Sequence, residues 1–295
     1  MRSIFLSVIA ALSVSGIVEA NDSDRILELT GDHTIAVTIN GQSFKLLVDP
    51  DIGGSRVLNA DVATKLGLKG GMIGGRHMVG PIKLTANSNV LAYDFGDVKD
   101  KKRTFWLADR SATDRAAGTI SPAALPYPIV QFKLGEPVAG EKLYTLPLAE
   151  GGNNAALTLA GNTVSVGFNL LRNETLVTAS TGVLVAENYQ GGFAGDSVST
   201  MIRYGVERPT RPLKLKQAME IGGLPLDQML VRVSDFGDAS QIADTADADQ
   251  DEIVVTATSK KKPRYMMTLG RDFLSLCSTL TFDAKAKQVQ MSCAL

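Results

Sequence analysis

Histidine and cysteine are scarce in this sequence, with two of each among 295 residues. The histidines, His33 and His77, are far in sequence from both cysteines, which argues against a zinc site built from these residues. So few histidines also argue against a Ser-His-Asp hydrolase. The net charge is −1 without an excess of lysine and arginine, which argues against a nucleic-acid-binding protein. We therefore expect no metal, no cofactor and no nucleic-acid partner.

Long apolar segments are also missing, apart from one at the N-terminus. Arg2 precedes an apolar stretch from Ile4 to Val18, and Val18-Glu-Ala20 has the small-x-small pattern that signal peptidase accepts. The stretch is shorter than the ~20 residues that span a bilayer. We predict a signal peptide over residues 1–20, cleaved after Ala20. The mature chain would then be periplasmic or secreted, with no membrane span.

The two cysteines, Cys277 and Cys293, flank a predicted hairpin with its turn at residues 284–287. If the turn is centred on Lys285, facing residues have numbers that sum to 570, and 277 plus 293 is 570. The two thiols would then lie opposite one another, within disulfide reach. An oxidising compartment would keep the bond closed. We predict a disulfide, with two unpaired buried thiols as the alternative.

Most of the mature chain has the pattern of β-strands. Residues 35–39 and 44–48 alternate apolar with small or polar residues, and Asn40-Gly41 between them favours a tight hairpin turn. A second hairpin is predicted around a turn at Gly161-Asn162, with apolar residues alternating over positions 164–168. These patterns predict an all-β fold.

Two segments depart from this pattern. Residues 59–67 indicate a short helix with Asn59 as its cap and Gly67 as its terminator. Residues 238–263 carry six acidic residues before Ile253, followed by Ser-Lys-Lys-Lys-Pro. Because charge runs of this kind are usually solvated, we predict a flexible acidic insertion there.

The chain also contains an internal repeat. Residues 41–49 align without a gap on residues 161–169, a shift of 120 positions, and this sets Asp49 opposite Asn169. Residues 90–97 match residues 231–238 at a shift of 141. Residues 119–125 loosely match residues 268–274 at a shift of 149. Three matches in consistent order indicate a duplication.

The duplication predicts two similar lobes that present one polar residue each at a shared junction. We place the N-terminal lobe at residues 21–135 and the C-terminal lobe at residues 136–295. The Pro/Gly-rich stretches at residues 125–128 and 150–154 bracket the passage between them.

Residues 37–41, 47–49, 57–59 and 63–68 resemble the opening of bacterial retropepsin-like aspartyl proteases. In that family a strand ends in Asp-Thr-Gly and is followed by Val-Leu and a short Leu-Gly-Leu helix. Residues 269–274 with 281–283 resemble the closing Leu-Gly-x-x-Phe-Leu motif and Phe-Asp hairpin of such domains. With both lobes counted, the resemblance implies a duplicated retropepsin-type barrel similar to pepsin, that is, a two-lobed acid-protease-like fold with a few short helices.

The resemblance implies catalytic aspartates, and the sequence departs from the family at both of them. Asp49 is followed by Pro50-Asp51 instead of Thr-Gly, so Asp51 is the candidate in an alternative register. The second lobe has Asn169 at the equivalent position, and Glu174 lies five residues further on. Aspartic proteases need two carboxylates that share one proton, and an amide cannot take a proton from water. Aspartic endopeptidase activity is therefore doubtful.

The family pattern also suggests where a peptide would bind. Gly53, Gly54 and Ser55 follow the candidate aspartates, and residues 70–75, with Gly74 and Gly75, suggest a glycine-rich flap over the cleft. A plain surface loop is the alternative for this second segment. Three functions stay open: an extracytoplasmic aspartic endopeptidase, a catalytically silent module that binds extended polypeptides, and a structural envelope protein. We expect a monomer.

Overall fold

The computed structural model describes residues 25–71, 73–245 and 263–295 of the chain, and its regular structure is mostly β-strand. The strands of the first half are β1 (Ile26–Leu29), β2 (Thr34–Ile39), β3 (Gln42–Val48), β4 (Arg56–Leu58), β5 (Gly75–Val79), β6 (Ile82–Asp94), β7 (Lys99–Leu107), β8 (Gly118–Ile120) and β9 (Ile129–Lys133). Those of the second half are β10 (Lys142–Pro147), β11 (Ala155–Leu159), β12 (Asn162–Phe168), β13 (Leu176–Thr178), β14 (Gly191–Phe193), β15 (Val198–Arg203), β16 (Val206–Ile221), β17 (Leu224–Arg232), β18 (Met266–Leu269), β19 (Cys277–Asp283) and β20 (Gln288–Cys293). The helices are α1 (Ala60–Lys65), α2 (Ala179–Tyr189), α3 (Arg271–Leu274) and a 3-10 turn at Pro122–Ala124.

Two of the three sheets are built alike. The first has the strand order β2-β3-β8-β4-β7-β6-β5, and it closes on itself because β2 also pairs with β6. The second has the order β11-β12-β18-β13-β17-β16-β14, with β15 added on β16. We call these sheets the first barrel and the second barrel. Apolar residues from both barrels belong to one continuous core, as the fully buried Val48, Ile120, Phe168 and Leu269 show.

The strand pairing confirms the duplication and two of its three predicted matches. In both barrels a hairpin (β2–β3, β11–β12) is followed by a parallel partner (β8, β18). Val48 faces Ile120 as Phe168 faces Leu269, which reproduces the shifts of 120 and 149. The third match is wrong. Residues 90–97 contain the end of β6, whereas residues 231–238 contain the end of β17. The counterpart of β17 in the first barrel is β7, because β17 pairs in parallel with β13 as β7 pairs with β4. A similar Asp-Phe-Gly turn caused this misalignment.

The third sheet joins the two halves of the chain, with the strand order β1-β9-β19-β20-β10. Phe282 of this sheet packs edge to face on Phe132 of the same sheet, at 6.1 Å between ring centroids, and on Phe168 of the second barrel, at 5.7 Å. Both cysteines of the chain lie in this sheet. The strands β9 and β19 pair directly, so segments distant in sequence are held side by side.

The predicted disulfide between Cys277 and Cys293 is present, with a Cα–Cα distance of 3.8 Å. The predicted hairpin register is only partly right. The cysteines face each other with numbers that sum to 570, but Thr279 faces Ser292 and Asp283 faces Gln288, which sum to 571. A β-bulge between Cys277 and Thr279 absorbs the extra residue. The bulge therefore brings the two sulfurs into register.

Local signals in the sequence predict several turns and α1 well. Asn40 and Gly41 have φ values of 48° and 83°, as a type I′ turn requires. The second hairpin turns at Ala160-Gly161, one residue before the predicted Gly161-Asn162. The predicted helix is α1, and Gly67 after it has a φ of 62°. Asn59 precedes α1, but its side chain bonds to residues 112, 113 and 116 instead of capping the helix.

Two predicted segments fall wholly or partly outside the described residues. These are the signal peptide, residues 1–20, and residues 246–262 of the predicted acidic insertion. The described start of that insertion, residues 238–245, contacts the second barrel at several points. Ile242 is buried, and the Asp244 carboxylate lies 2.8 Å from the Arg211 guanidinium. Thr245 N–H also donates to the Phe193 carbonyl. Residues 244 and 245 are therefore held against β14 and β16, and the flexible acidic insertion stays a prediction.

The architecture is all-β and two-lobed, with short helices, as predicted for an acid-protease-like fold. In residues 25–71, 73–245 and 263–295, none of the helices combines the length and the apolar character needed to traverse a membrane. The candidate residues lie where β3 and β12 end, side by side between the two barrels.

Candidate cleft between the two barrels

The loops that follow β3 and β12 begin with the same backbone geometry. Asp49 N–H donates to the Ile120 carbonyl at 2.9 Å, and Asn169 N–H donates to the Leu269 carbonyl at 2.9 Å. In each loop the side-chain Oδ1 then accepts from the backbone N–H two residues later, Asp51 or Leu171, again at 2.9 Å. Asp49 and Asn169 are therefore structurally equivalent, as the gapless repeat predicts.

The contact across the seam uses a different carboxylate from the one preferred on sequence. Asn169 Nδ2 donates to Asp51 Oδ2 at 2.9 Å, and Asn169 is only 8% exposed. Asp49 contacts Asp51 through the turn that they share. The residue that bridges the two loops is thus Asp51, the candidate of the alternative register.

A guanidinium group completes this contact. Arg203, at the end of β15, approaches Asp51 Oδ2 to 3.0 Å and also donates to the Asp51 backbone carbonyl. The same carboxylate oxygen therefore receives an amide donor and a cationic donor from the second half of the chain. Charge-assisted contacts of this kind are among the stronger polar contacts in proteins.

The electrostatic surroundings of Asp49 differ from those of a surface carboxyl. Burial raises the pKa of Asp49 to about 6, and the negative charge of Asp51 adds to this rise. The positive charge of Arg203 and the hydrogen bond from Asp51 N–H oppose it. Asp49 is therefore a carboxyl that changes its charge in the range between mildly acidic and neutral pH.

Glu174, the other predicted source of a second acid, lies apart from this contact. It is exposed, and within the described chain its carboxylate forms no hydrogen bond with Asp49, Asp51 or Asn169. The polar centre of the seam thus consists of two carboxyls, Asp49 and Asp51, the Asn169 amide and the Arg203 guanidinium.

The hairpin β5–β6 reaches from the first barrel onto the second. Its turn contains Gly80, where a Cβ atom would lie 2.6 Å from Cγ of Asp235. Asp235 is 1% exposed and forms ion pairs with Arg208, at 2.8 Å, and with Arg232. The Asp-Phe-Gly segment after β17 therefore supplies a buried anion on which the hairpin tip rests.

The equivalent hairpin of the second barrel, β15–β16, reaches in the opposite direction. Tyr204 at its turn is 6% exposed and packs with Val57, Leu107 and Val79 of the first barrel. The ring of His77 lies 5.4 Å from the Tyr204 ring, and Arg110 donates to the Tyr204 carbonyl at 2.9 Å. Each barrel thus extends one hairpin over the junction.

The residues predicted to bind a substrate do not all lie at the cleft. Gly53 lines the cleft described below, but Gly54 is exposed next to Asn153, and the Ser55 hydroxyl donates to the Gly53 carbonyl. Gly74 and Gly75 lie where β5 begins, and Gly75 packs on the Phe105 ring. The hairpin tip that contacts Asp235 of the second barrel is the Gly80 turn, which follows residues 70–75 in the sequence, and the role of those residues as a flap stays a prediction.

A cavity of about 290 Å³ lies beside the Asp51–Asn169 contact and under the Gly80 turn. Its charged lining residues are Asp51, Arg172, Arg203, Arg232 and Arg264. The arginines and Asp235 were missed by sequence reasoning, because nothing local distinguishes them from surface charges. The duplication gives the one indication for Arg203, because this residue ends β15, and β15 is the equivalent of β5 in the hairpin that extends over the junction.

No protein-family model and no curated protein matches this sequence. Among solved structures, the chain is similar to EIAV protease complexed with the inhibitor HBY-793, with 15% sequence identity and a TM-score of 0.24. The match covers 31% of this chain and 82% of the protease chain.

Proposed function

We propose that this protein binds extended polypeptides in the cleft between its barrels and does not hydrolyse them. The supporting observation is the hydrogen bond from Asn169 Nδ2 to Asp51 Oδ2 at 2.9 Å. Aspartic proteases place two carboxylates that share a proton at such a seam, and one of them deprotonates the attacking water. Here the partner is an amide, and Arg203 occupies the same oxygen.

The two hairpins that extend over the junction favour an extended polypeptide as the ligand. β5 is the outermost strand of the first barrel, and β15 is attached to the second barrel through β16. Outer strands have free backbone donors and acceptors, and a polypeptide can add to them as a further strand. The backbone of the ligand would then provide most of the affinity, and the cleft would select its side chains.

The remaining features of the proposal come from the sequence. The proposed lobes are residues 21–135 and 136–295, the chain is exported after removal of residues 1–20, and it acts as a monomer. The disulfide between Cys277 and Cys293 is compatible with a periplasmic or secreted protein. The partner would be a polypeptide, without any cofactor.

A combined cleavage and binding experiment tests the proposal. The mature chain is incubated with mixed peptides between pH 3 and 7, with mass spectrometry for cleavage and fluorescence anisotropy for binding. We expect saturable binding and no new fragments. Fragments that disappear with Asp49→Ala would contradict the proposal, as would the absence of binding.

One observation favours a second candidate, a slow aspartic endopeptidase. Asp49 and Asp51 lie in one turn, where Asp51 N–H donates to Asp49 Oδ1, and burial and the Asp51 charge raise the pKa of Asp49 to about 6. In this second candidate the two carboxyls divide the roles of acid and base. Loss of cleavage in both Asp49→Ala and Asp51→Ala would support it. A vestigial cleft in an envelope protein predicts neither binding nor cleavage.

A further inference from the structure

The cavity beside the Asp51–Asn169 contact has an excess of positive charge. Four guanidinium groups line it, from Arg172, Arg203, Arg232 and Arg264, against one lining carboxylate, Asp51. The lining residues alone thus carry a formal excess of three positive charges, and the Asp235 carboxylate, which pairs with Arg232 behind the lining, reduces this excess to two. In a partly enclosed cavity such an excess attracts an anion more strongly than it would on an open surface.

Two of the four guanidinium groups have no carboxylate partner within the described residues. Arg203 is paired with Asp51 and Arg232 with Asp235. Arg172 donates only to backbone carbonyls, that of Ile202 at 3.0 Å and more weakly that of Met201. Arg264 lies over the Phe236 ring at 5.3 Å, a contact that leaves its N–H groups available.

The positive charges of these guanidinium groups also repel one another. Burial lowers the pKa of Arg172, and the positive charges of Arg203 and Arg232 lower it further, against the opposing effects of Asp51 and, more weakly, of Glu174. A bound anion would offset the repulsion and accept from the N–H groups of Arg172 and Arg264, which have no carboxylate partner within the described residues.

The size and position of the cavity indicate which anion. At about 290 Å³, it lies just below the roughly 300–1,000 Å³ of typical small-molecule sites, so it suits one side chain or one chain end. It opens beside the proposed path of an extended polypeptide, under the Gly80 turn. A planar guanidinium fork matches a carboxylate through two parallel hydrogen bonds.

We propose that this cavity is an acid-selective subsite that binds a carboxylate group of the polypeptide ligand, with Arg172, Arg232 and Arg264 as its donors. The inference rests on the proposed function and specifies the ligand. The carboxylate comes either from a Glu or Asp side chain or from the C-terminus of the peptide.

Four pools of fluorescein-labelled decapeptides test this subsite on the mature chain. Three pools are C-terminally amidated and carry a fixed central Glu, Gln or Lys among random positions, and the fourth carries Gln with a free C-terminal carboxylate. Dissociation constants are measured by anisotropy at pH 7. We expect the Glu pool, the free-carboxylate pool or both to bind about tenfold more tightly than the amidated Gln pool.

Two arginine variants provide a matched comparison. Arg264→Gln removes an exposed lining guanidinium that forms no ion pair with the residues that the structure describes, so the fold should persist. Arg271→Gln removes the same charge from an exposed position outside this cavity. We expect the first variant to reduce the carboxylate preference at least threefold and the second to retain it.

The outcomes separate the subsite from the proposed function. Stronger binding by the Glu pool assigns the subsite to an acidic side chain, and stronger binding by the free-carboxylate pool assigns it to the chain end. Equal binding by all pools, or a preference that Arg264→Gln leaves intact, would overturn the subsite while peptide binding stands. Binding by no pool would overturn both.

Discussion

At the scale of single residues, Asp49 makes stability depend on pH. Its pKa is raised to about 6 in the folded chain, mainly by burial and then by the Asp51 charge, against about 4 in an unfolded chain. The folded state therefore holds this proton more tightly, and stability falls as pH rises from about 4 to about 6. We expect Asp49→Asn to remove this decline, worth up to about 3 kcal/mol. Urea unfolding at pH 4 and pH 7.5 measures it.

A matched variant separates the contribution of Asp49 to the pH dependence of stability from the general effect of removing a carboxyl. Asp227 is exposed, so Asp227→Asn removes a carboxyl at the surface of the second barrel. It should leave the pH dependence of the free energy of unfolding as in the wild type. An Asp49→Asn protein with the wild-type pH dependence would show that Asp49 does not titrate near pH 6.

The side chain of Asn169 determines which chemical group Asp51 contacts across the seam. Asn169→Asp would place a second carboxylate where an amide now donates to Asp51 Oδ2 at 2.9 Å. Two carboxylates this close cannot both be ionised without a large cost. We expect a loss of about 1–3 kcal/mol at pH 7.5 that is largely recovered at pH 4 to 5, where the pair shares a proton. Asn40→Asp, at an exposed turn, is the control. Equal losses at both pH values would contradict the prediction.

The polar centre could be predicted from the sequence only in part. The equivalence of Asp49 and Asn169 follows from the gapless repeat, because equivalent strands end at equivalent residues. That Asp51 contacts Asn169 depends on how the two loops turn toward one another. Arg203 reaches Asp51 from a position 152 residues further on, and no local pattern encodes such a contact.

At the scale of elements, the β5–β6 turn depends on glycine for two reasons. Gly80 has a φ of 59°, and a Cβ there would lie 2.6 Å from Cγ of Asp235. Gly31 has a φ of 60° with no atom near its would-be Cβ, so Gly31→Ala incurs only the backbone strain. We expect Gly80→Ala to lower the free energy of unfolding by about 1–3 kcal/mol more than Gly31→Ala.

Chemical denaturation of both glycine variants at one pH measures this difference. Equal losses would mean that the hairpin tip does not rest on Asp235 in solution. Hydrogen exchange of β5 and β6 gives a second readout, because displacement of the tip should increase exchange there and leave β11 and β12 protected.

Short-range elements were predictable from sequence, and long-range pairings were not. Alternation with a central Asn-Gly defines β2–β3, and a cap with a terminating glycine defines α1. The sheet that contains β1, β9 and β19 joins segments from opposite ends of the chain, for which alternation contains no partner information. The error between β6 and β17 has the same origin, since similar turns can follow strands that occupy different places.

At the scale of the whole molecule, the third sheet should make unfolding cooperative. β1 and β9 come from the first half, β10, β19 and β20 come from the second, and both barrels contribute to one core. We expect a single urea transition in which Trp106 fluorescence, which reports on the first barrel, coincides with far-UV circular dichroism, which reports on all strands. Loss of the Trp106 signal at lower urea would mean that the first barrel unfolds independently.

The strand order also has a consequence for synthesis. On the ribosome the first barrel is complete once β8 has emerged, but β9, which ends at Lys133, must wait until β19, which begins at Cys277, has been synthesised to cover its second edge. During that interval the nascent chain presents an open edge to which foreign strands can add. A product truncated before Cys277 would keep that edge permanently, so premature termination should yield aggregates instead of a smaller soluble protein.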